Sequence, residues 1–164
     1  MTDPRAALRA RQGAGARYDA PEAPAEALLR MRRGNAAVAR LIDALPDSAL
    51  SGPVAETIAT LGYHARAATR LLAGQPMWDS EAQRAAELAL GATLPPRALR
   101  ALFAHTARHL DVDMRDLPGP AWSAPLPDGT AAQTLPDRHA RLLWRASLTL
   151  GGHARDIPSL YRDS

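Results

Sequence analysis

The chain has 164 residues, 4% of them aromatic and 23% charged, with a net charge of +3 and neither cysteine nor lysine. That length suits one domain with a useful core, and a core built mostly from Ala, Leu, Ile and Val points to helices rather than strands. The lack of cysteine excludes disulfides, thiolate zinc sites and a cysteine nucleophile.

Residues 1 to 24 are rich in Gly, Pro and Ala, and Pro4, Gly13, Gly15, Pro21 and Pro24 prevent a continuous helix. They read as an N-terminal arm ahead of a helical domain over residues 25 to 164, with one helical turn at Ala6 to Arg11. Charge without an apolar core in this segment lacks the pattern of a secretory signal. No apolar run approaches the roughly 20 residues that span a bilayer, so the expectation is a cytoplasmic protein without a membrane partner.

From Ala25, the recurrence of Leu28, Leu29, Val38, Leu41, Ile42 and Leu45 predicts an amphipathic helix ending before Pro46. Its Arg30, Arg32 and Arg33 form the densest basic cluster. No stacking aromatics accompany it, so it reads as a solvated face and not a nucleic-acid interface. A second helix is predicted from Val54 to Ala73, with Ile58, Leu61, Ala65, Ala68 and Leu72 on one stripe, closed by Gly74 and Pro76. Ser80 and Gln83 have capping-box spacing for a short helix through Leu90.

Pro95 and Pro96 open the third long helix, which turns Leu99, Leu102, Phe103, Thr106 and Leu110 inward and ends before Pro118. Residues 117 to 136 hold five prolines and two glycines and are expected to form an extended crossover with a turn at Asp128-Gly129. The fourth long helix is predicted over Asp137 to Leu150, with Leu142, Leu143, Ala146 and Leu150 on one face and Gly151-Gly152 as its stop. The fold class is therefore all-α: a four-helix bundle with an irregular crossover between the third and fourth long helices, and room for a pocket between facing helices.

Three stretches carry a family likeness. They are GYHARAATRLL at Gly62 to Leu72, the long segment from Pro76 to Trp122, and RLLW with RDIP near the C-terminus. Here the chain resembles the mycothiol-dependent maleylpyruvate isomerase group of the DinB-like superfamily, over most of residues 25 to 160. The resemblance implies a four-helix bundle that holds a divalent metal with a His on the second long helix and a Glu-x3-His pair on the fourth. Carried onto this sequence, those positions fall at Thr60, Leu142 and Ala146. A single neutral hydroxyl does not retain a divalent ion, so no metal and no cofactor is expected.

The remaining histidines supply the candidate chemistry. His64, one turn after Thr60, and His139, three residues before Leu142, are the candidate catalytic acid or base, since imidazole titrates near neutral pH. Packing of the second helix and capping at the first turn of the fourth are the structural alternatives for these two. Thr60, Tyr63, Arg66, Leu142 and Ala146 are the candidate substrate-binding residues, with Arg66 placed to meet an anionic substrate. His105 and His109 have the i,i+4 spacing of metal ligands, but ordinary hydrogen-bonding histidines are the expectation. Trp78 and Trp122 are expected to close the core, and Trp144, opposite Leu142 on its helix, to be interfacial.

The functional expectation is a metal-independent small-molecule enzyme of isomerase or cyclase type, derived from such an isomerase. The alternative is a non-catalytic ligand- or partner-binding bundle. The partner expected is a small-molecule substrate, with a homodimer through the arm left open.

Overall fold

The structure is a computed structural model that describes residues 3–7 and 20–162. Residues 4 to 7 are helical. Six further helices follow: α1 (Ala25–Ala44), α2 (Gly52–Leu72), α3 (Glu81–Gly91), α4 (Pro96–Asp116), α5 (Leu135–Thr149) and α6 (Ser159–Arg162). The described residues contain no strand, only one isolated antiparallel bridge between Pro125 and Ala131. The all-α expectation holds.

The helix boundaries follow local chemistry. α2, α4 and α5 each carry a proline in the first turn, where its missing N–H costs no intrahelical bond. Ser80 caps α3 by accepting from the Gln83 backbone N–H at 3.0 Å. The Gln83 side chain closes the box one residue early, accepting from the Asp79 N–H at 2.6 Å. The crossover is tighter than the extended connection expected of it. It folds into short 3-10 turns at Gly119–Ser123 and Ala132–Thr134, with Trp122 plugged into the core at 0% exposure.

Packing joins two close pairs. α1 lies against α5, α2 lies against α4, and α2 also meets α5 along the bundle, whereas α1 meets α4 only loosely. The order around the bundle is thus α1, α5, α2, α4, with a closed α2–α5 face opposite an open α4–α1 face. Leu28, Ile58, Leu99, Leu110 and Leu143 are inaccessible at its centre, each contributing roughly 1.5–3 kcal/mol of burial. α3 leans on α2 at Gly91, where a Cβ would come within 2.5 Å of the Tyr63 ring and 2.8 Å of Ala59.

Polar ties span the ends of the bundle. Arg32 donates to both carboxylate oxygens of Asp111 at 2.7 and 2.8 Å. Tyr161 on α6 donates to Asp137 at 2.5 Å and accepts from Arg30 at 3.0 Å, which pins the C-terminal turn onto α1 and α5.

Two expectations need adjustment. Trp144 is buried at 9% exposure instead of interfacial, because Gly34 on α1 leaves room for it; a Cβ there would lie 3.3 Å from the indole nitrogen. Of the helical turn expected at Ala6 to Arg11, residues 8 to 11 lie outside the described residues. Arg5 donates to the carbonyls of Pro21 and Ala23 at 3.1 and 3.0 Å, tying the described start of the arm to its end. Among the described residues, no helix is long and apolar enough to cross a membrane.

Candidate active site

The closed α2–α5 face holds a cavity of about 260 Å³ whose lining includes His64, Ala68, Met77, Leu135, His139 and Leu142. The two histidines proposed from sequence thus reach one space from different helices. His64 is half-buried, and its ring meets Trp78 edge-on with centroids 5.2 Å apart. Trp78 is held in turn by Glu87, which accepts from its indole N–H at 3.2 Å, and by the Arg84 guanidinium 5.4 Å above its ring.

His139 is 4% exposed, so it is neither a cap nor a surface histidine. No group among the described residues hydrogen-bonds its ring. Burial, reinforced by the nearby His64, pushes its pKa down to about 4. Burial also lowers the pKa of His64, with the Arg84 charge adding to the effect. Both imidazoles are therefore neutral at pH 7, each with one nitrogen able to donate and one able to accept.

Two further spaces adjoin this cavity. Behind Leu142 lies a pocket of about 240 Å³ lined by Glu56, Thr57, Thr60, Leu61, Leu142 and Ala146. The positions Thr60, Leu142 and Ala146 therefore share one space as well, and Leu142 belongs to both. In front, a vestibule of about 310 Å³ lies between the loop carrying Met77 and Trp78 and the crossover at Pro127 and Asp128. Met77 lines both the vestibule and the inner cavity.

The expected turn at Asp128-Gly129 forms this rim. Gly129 adopts φ +84°, which favours glycine, and Asp128 accepts from the Thr130 N–H and hydroxyl at 3.0 and 2.7 Å. Arg138 lines the cavity and donates outward to Asp128 at 3.1 Å and Thr130 at 2.9 Å. Burial alone would raise the Asp128 pKa, but the hydrogen bonds from Thr130 and Arg138 outweigh it and hold the carboxyl below its usual range.

Tyr63 and Arg66 lie on the flank of α2 that faces α3. The Arg66 guanidinium covers the Tyr63 ring at 4.9 Å and pairs with Glu87 at 2.8 Å. The cation at the cavity is instead Arg138, which the sequence reading passed over although it adjoins His139. His105 and His109 stand on the exposed side of α4 with ring centroids 6.3 Å apart. His153 is exposed and caps the turn Ala154–Asp156. Among the described residues, no group of three or more His, Asp or Glu is arranged to hold a metal ion.

The helical architecture has counterparts among known structures. The chain superposes on mycothiol-dependent maleylpyruvate isomerase with a TM-score of 0.77, at 27% identity over 84% of its length. A histidine-to-alanine variant of that isomerase gives a TM-score of 0.78 at the same identity. The chain spans 65% of the length of each of those chains. No family model and no curated protein sequence matches it. In fold and in part of its sequence the chain is similar to mycothiol-dependent maleylpyruvate isomerase.

Proposed function

We propose that this protein is a small-molecule enzyme of the isomerase or cyclase type that works by imidazole acid-base chemistry, without the divalent metal implied by its family. The observation that carries the reading is the convergence of His64 and His139, both held neutral, on one largely apolar cavity. Perturbed titratable groups meeting in a pocket are the usual mark of a catalytic site.

The donor set at the family's ligand positions does not fit a divalent ion. Thr60 brings one hydroxyl, Leu142 and Ala146 bring none, and the neighbouring Glu56 is a single exposed carboxylate. The domain reading, an arm over residues 1 to 24 and a bundle over 25 to 164, belongs to the same proposal.

The chemistry proceeds by one proton moving out and back. His64, the more accessible imidazole, takes a proton from the carbon beside a substrate carbonyl. The electron pair of that C–H bond becomes a carbon–carbon double bond, and the carbonyl oxygen gains negative charge. The N–H of His139 donates a hydrogen bond to that oxygen. In a substrate with a second double bond next to that carbon, returning the proton from His64 to the far end of the conjugated system restores the carbonyl and shifts the double bond, an isomerisation with no net oxidation. Arg138 is the group at hand for a substrate carboxylate.

The test is solvent exchange. Protein with its metal content measured is incubated in D2O with maleylpyruvate and other small 2-oxo acids, without thiol. Deuterium incorporation that is lost in His64→Gln and in His139→Gln supports the proposal. Stoichiometric bound metal, or exchange indifferent to both substitutions, overturns it. An absence of exchange and of product with every acid tested returns the bundle to a binding role.

A further inference from the structure

The open α4–α1 face, on the opposite side of the bundle from His64, carries the largest of the cavities described, at about 430 Å³. This is within the roughly 300–1,000 Å³ of small-molecule sites, whereas the His64–His139 cavity alone is below it. The space exists because Ala39 faces Ala104 and Ala107 over a floor of Phe103 and Ile42, and short side chains cannot bridge two helices that contact so little.

Charge is distributed unevenly along it. Arg32 pairs with Asp111, and Arg100 donates to the Ile42 carbonyl at 2.9 Å, so α1 and α4 run antiparallel and Asn35 comes level with Arg108. Arg100 is committed, bonding also to the Leu45 carbonyl and to Asp47. Arg108 is exposed and has no hydrogen bond or ion pair among the described residues. The Asn35 carbonyl oxygen is turned inward, buried without a partner, which leaves its unbonded amide N–H2 as the accessible end. Two free donors, one of them charged, therefore meet at one end of an apolar trough that runs about 10 Å along the helices to Ile42.

We propose that this trough is a second ligand site, separate from the histidine cavity, for a small organic carboxylate with an apolar body. The carboxylate takes hydrogen bonds from Arg108 and the Asn35 amide, and the apolar body lies between Ala39, Ala104 and Phe103.

The probe is 4-phenylbutyrate, titrated into 15N-labelled full-length protein. Saturable amide shifts are expected at Ala39, Ala104 and Ala107. 4-Phenylbutyramide, without the charge, binds about tenfold more weakly, as does the acid to Arg108→Gln, a surface change that spares the core. Ala104→Trp fills the trough and abolishes binding, whereas His64→Gln leaves it unchanged. No saturable binding, shifts that map to the His64 cavity, or equal affinity for acid and amide would overturn the proposal. A dimer by light scattering that Ala104→Trp dissociates would overturn it too, by assigning the face to a second copy of the chain.

Discussion

His64 and Trp78 meet edge to face at 5.2 Å, although one sits on a helix and the other in the loop that follows it. The contact makes the loop a wall of the histidine cavity, and the loop's own anchors, Glu87 and Arg84, belong to α3. The short helix α3 thereby positions the site without touching it.

Trp78→Ala should raise the pKa of His64 towards its ordinary value, because the substitution readmits water to a ring whose shift comes first from burial. A histidine ring-proton NMR titration reads the change. The stability cost should be about 1–2 kcal/mol, from the lost ring contact and half-buried area. A titration midpoint that did not move would show that Arg84, not burial, governs this histidine.

His139 should make the fold acid-sensitive. Its folded pKa of about 4 lies below the ordinary histidine value of 6.5, so the unfolded chain binds more protons between those values, and stability falls as pH drops through that window. The loss should approach roughly 3 kcal/mol by pH 4. Asp128, whose carboxyl is also held low, loses its contribution only below the usual carboxylate range. Urea unfolding of His139→Gln beside the parent at pH 7, 5 and 4 isolates the histidine: the variant's slope between pH 7 and 4 should be shallower.

Leu142→Ala should merge the histidine cavity with the pocket at Thr60 and Ala146, since Leu142 lines both. The expected cost is about 1–3 kcal/mol by thermal or chemical melt, less than for a fully buried leucine. Bulkier carbonyl substrates should gain relative to small ones in the solvent-exchange assay. Unchanged selectivity would mean that the two spaces act separately.

Gly91→Ala should destabilise the protein, against the usual gain for such a change in a helix. The new methyl would meet Ala59 at 2.8 Å and the Tyr63 ring at 2.5 Å, and overpacking of this kind costs about 1–3 kcal/mol. Since α3 carries Glu87 and Arg84, the same substitution should loosen Trp78, visible as a red shift in tryptophan fluorescence.

Helix positions were legible in the sequence because the punctuation is local. Pro46, the Ser80 cap, Pro96 and Gly151 act within a few residues of where they stand, and the observed ends lie close to them. The meeting of His64 with His139 was foreshadowed by the family resemblance, which implied that the second and fourth long helices share a pocket. Side-chain direction within a helix was less accessible. Arg66 follows His64 by only two residues, yet that offset turns it from the cavity towards Glu87. Trp144 is opposite Leu142 on the helical wheel, but a single helix does not announce that α1 covers its far side. The open α4–α1 face had no sequence signal either, since alanines at 39, 104 and 107 read as ordinary helix formers until the two helices are set side by side.

The clasp between Arg138 and Asp128 puts the cavity's cation and the crossover's turn under one bond. Arg138 lines the cavity while its guanidinium bonds Asp128 and Thr130 at the rim, so the cavity wall and the crossover's turn are joined through one side chain. Protonation of Asp128, which its lowered pKa confines to pH below the usual carboxylate range, weakens the tie that holds this turn to α5.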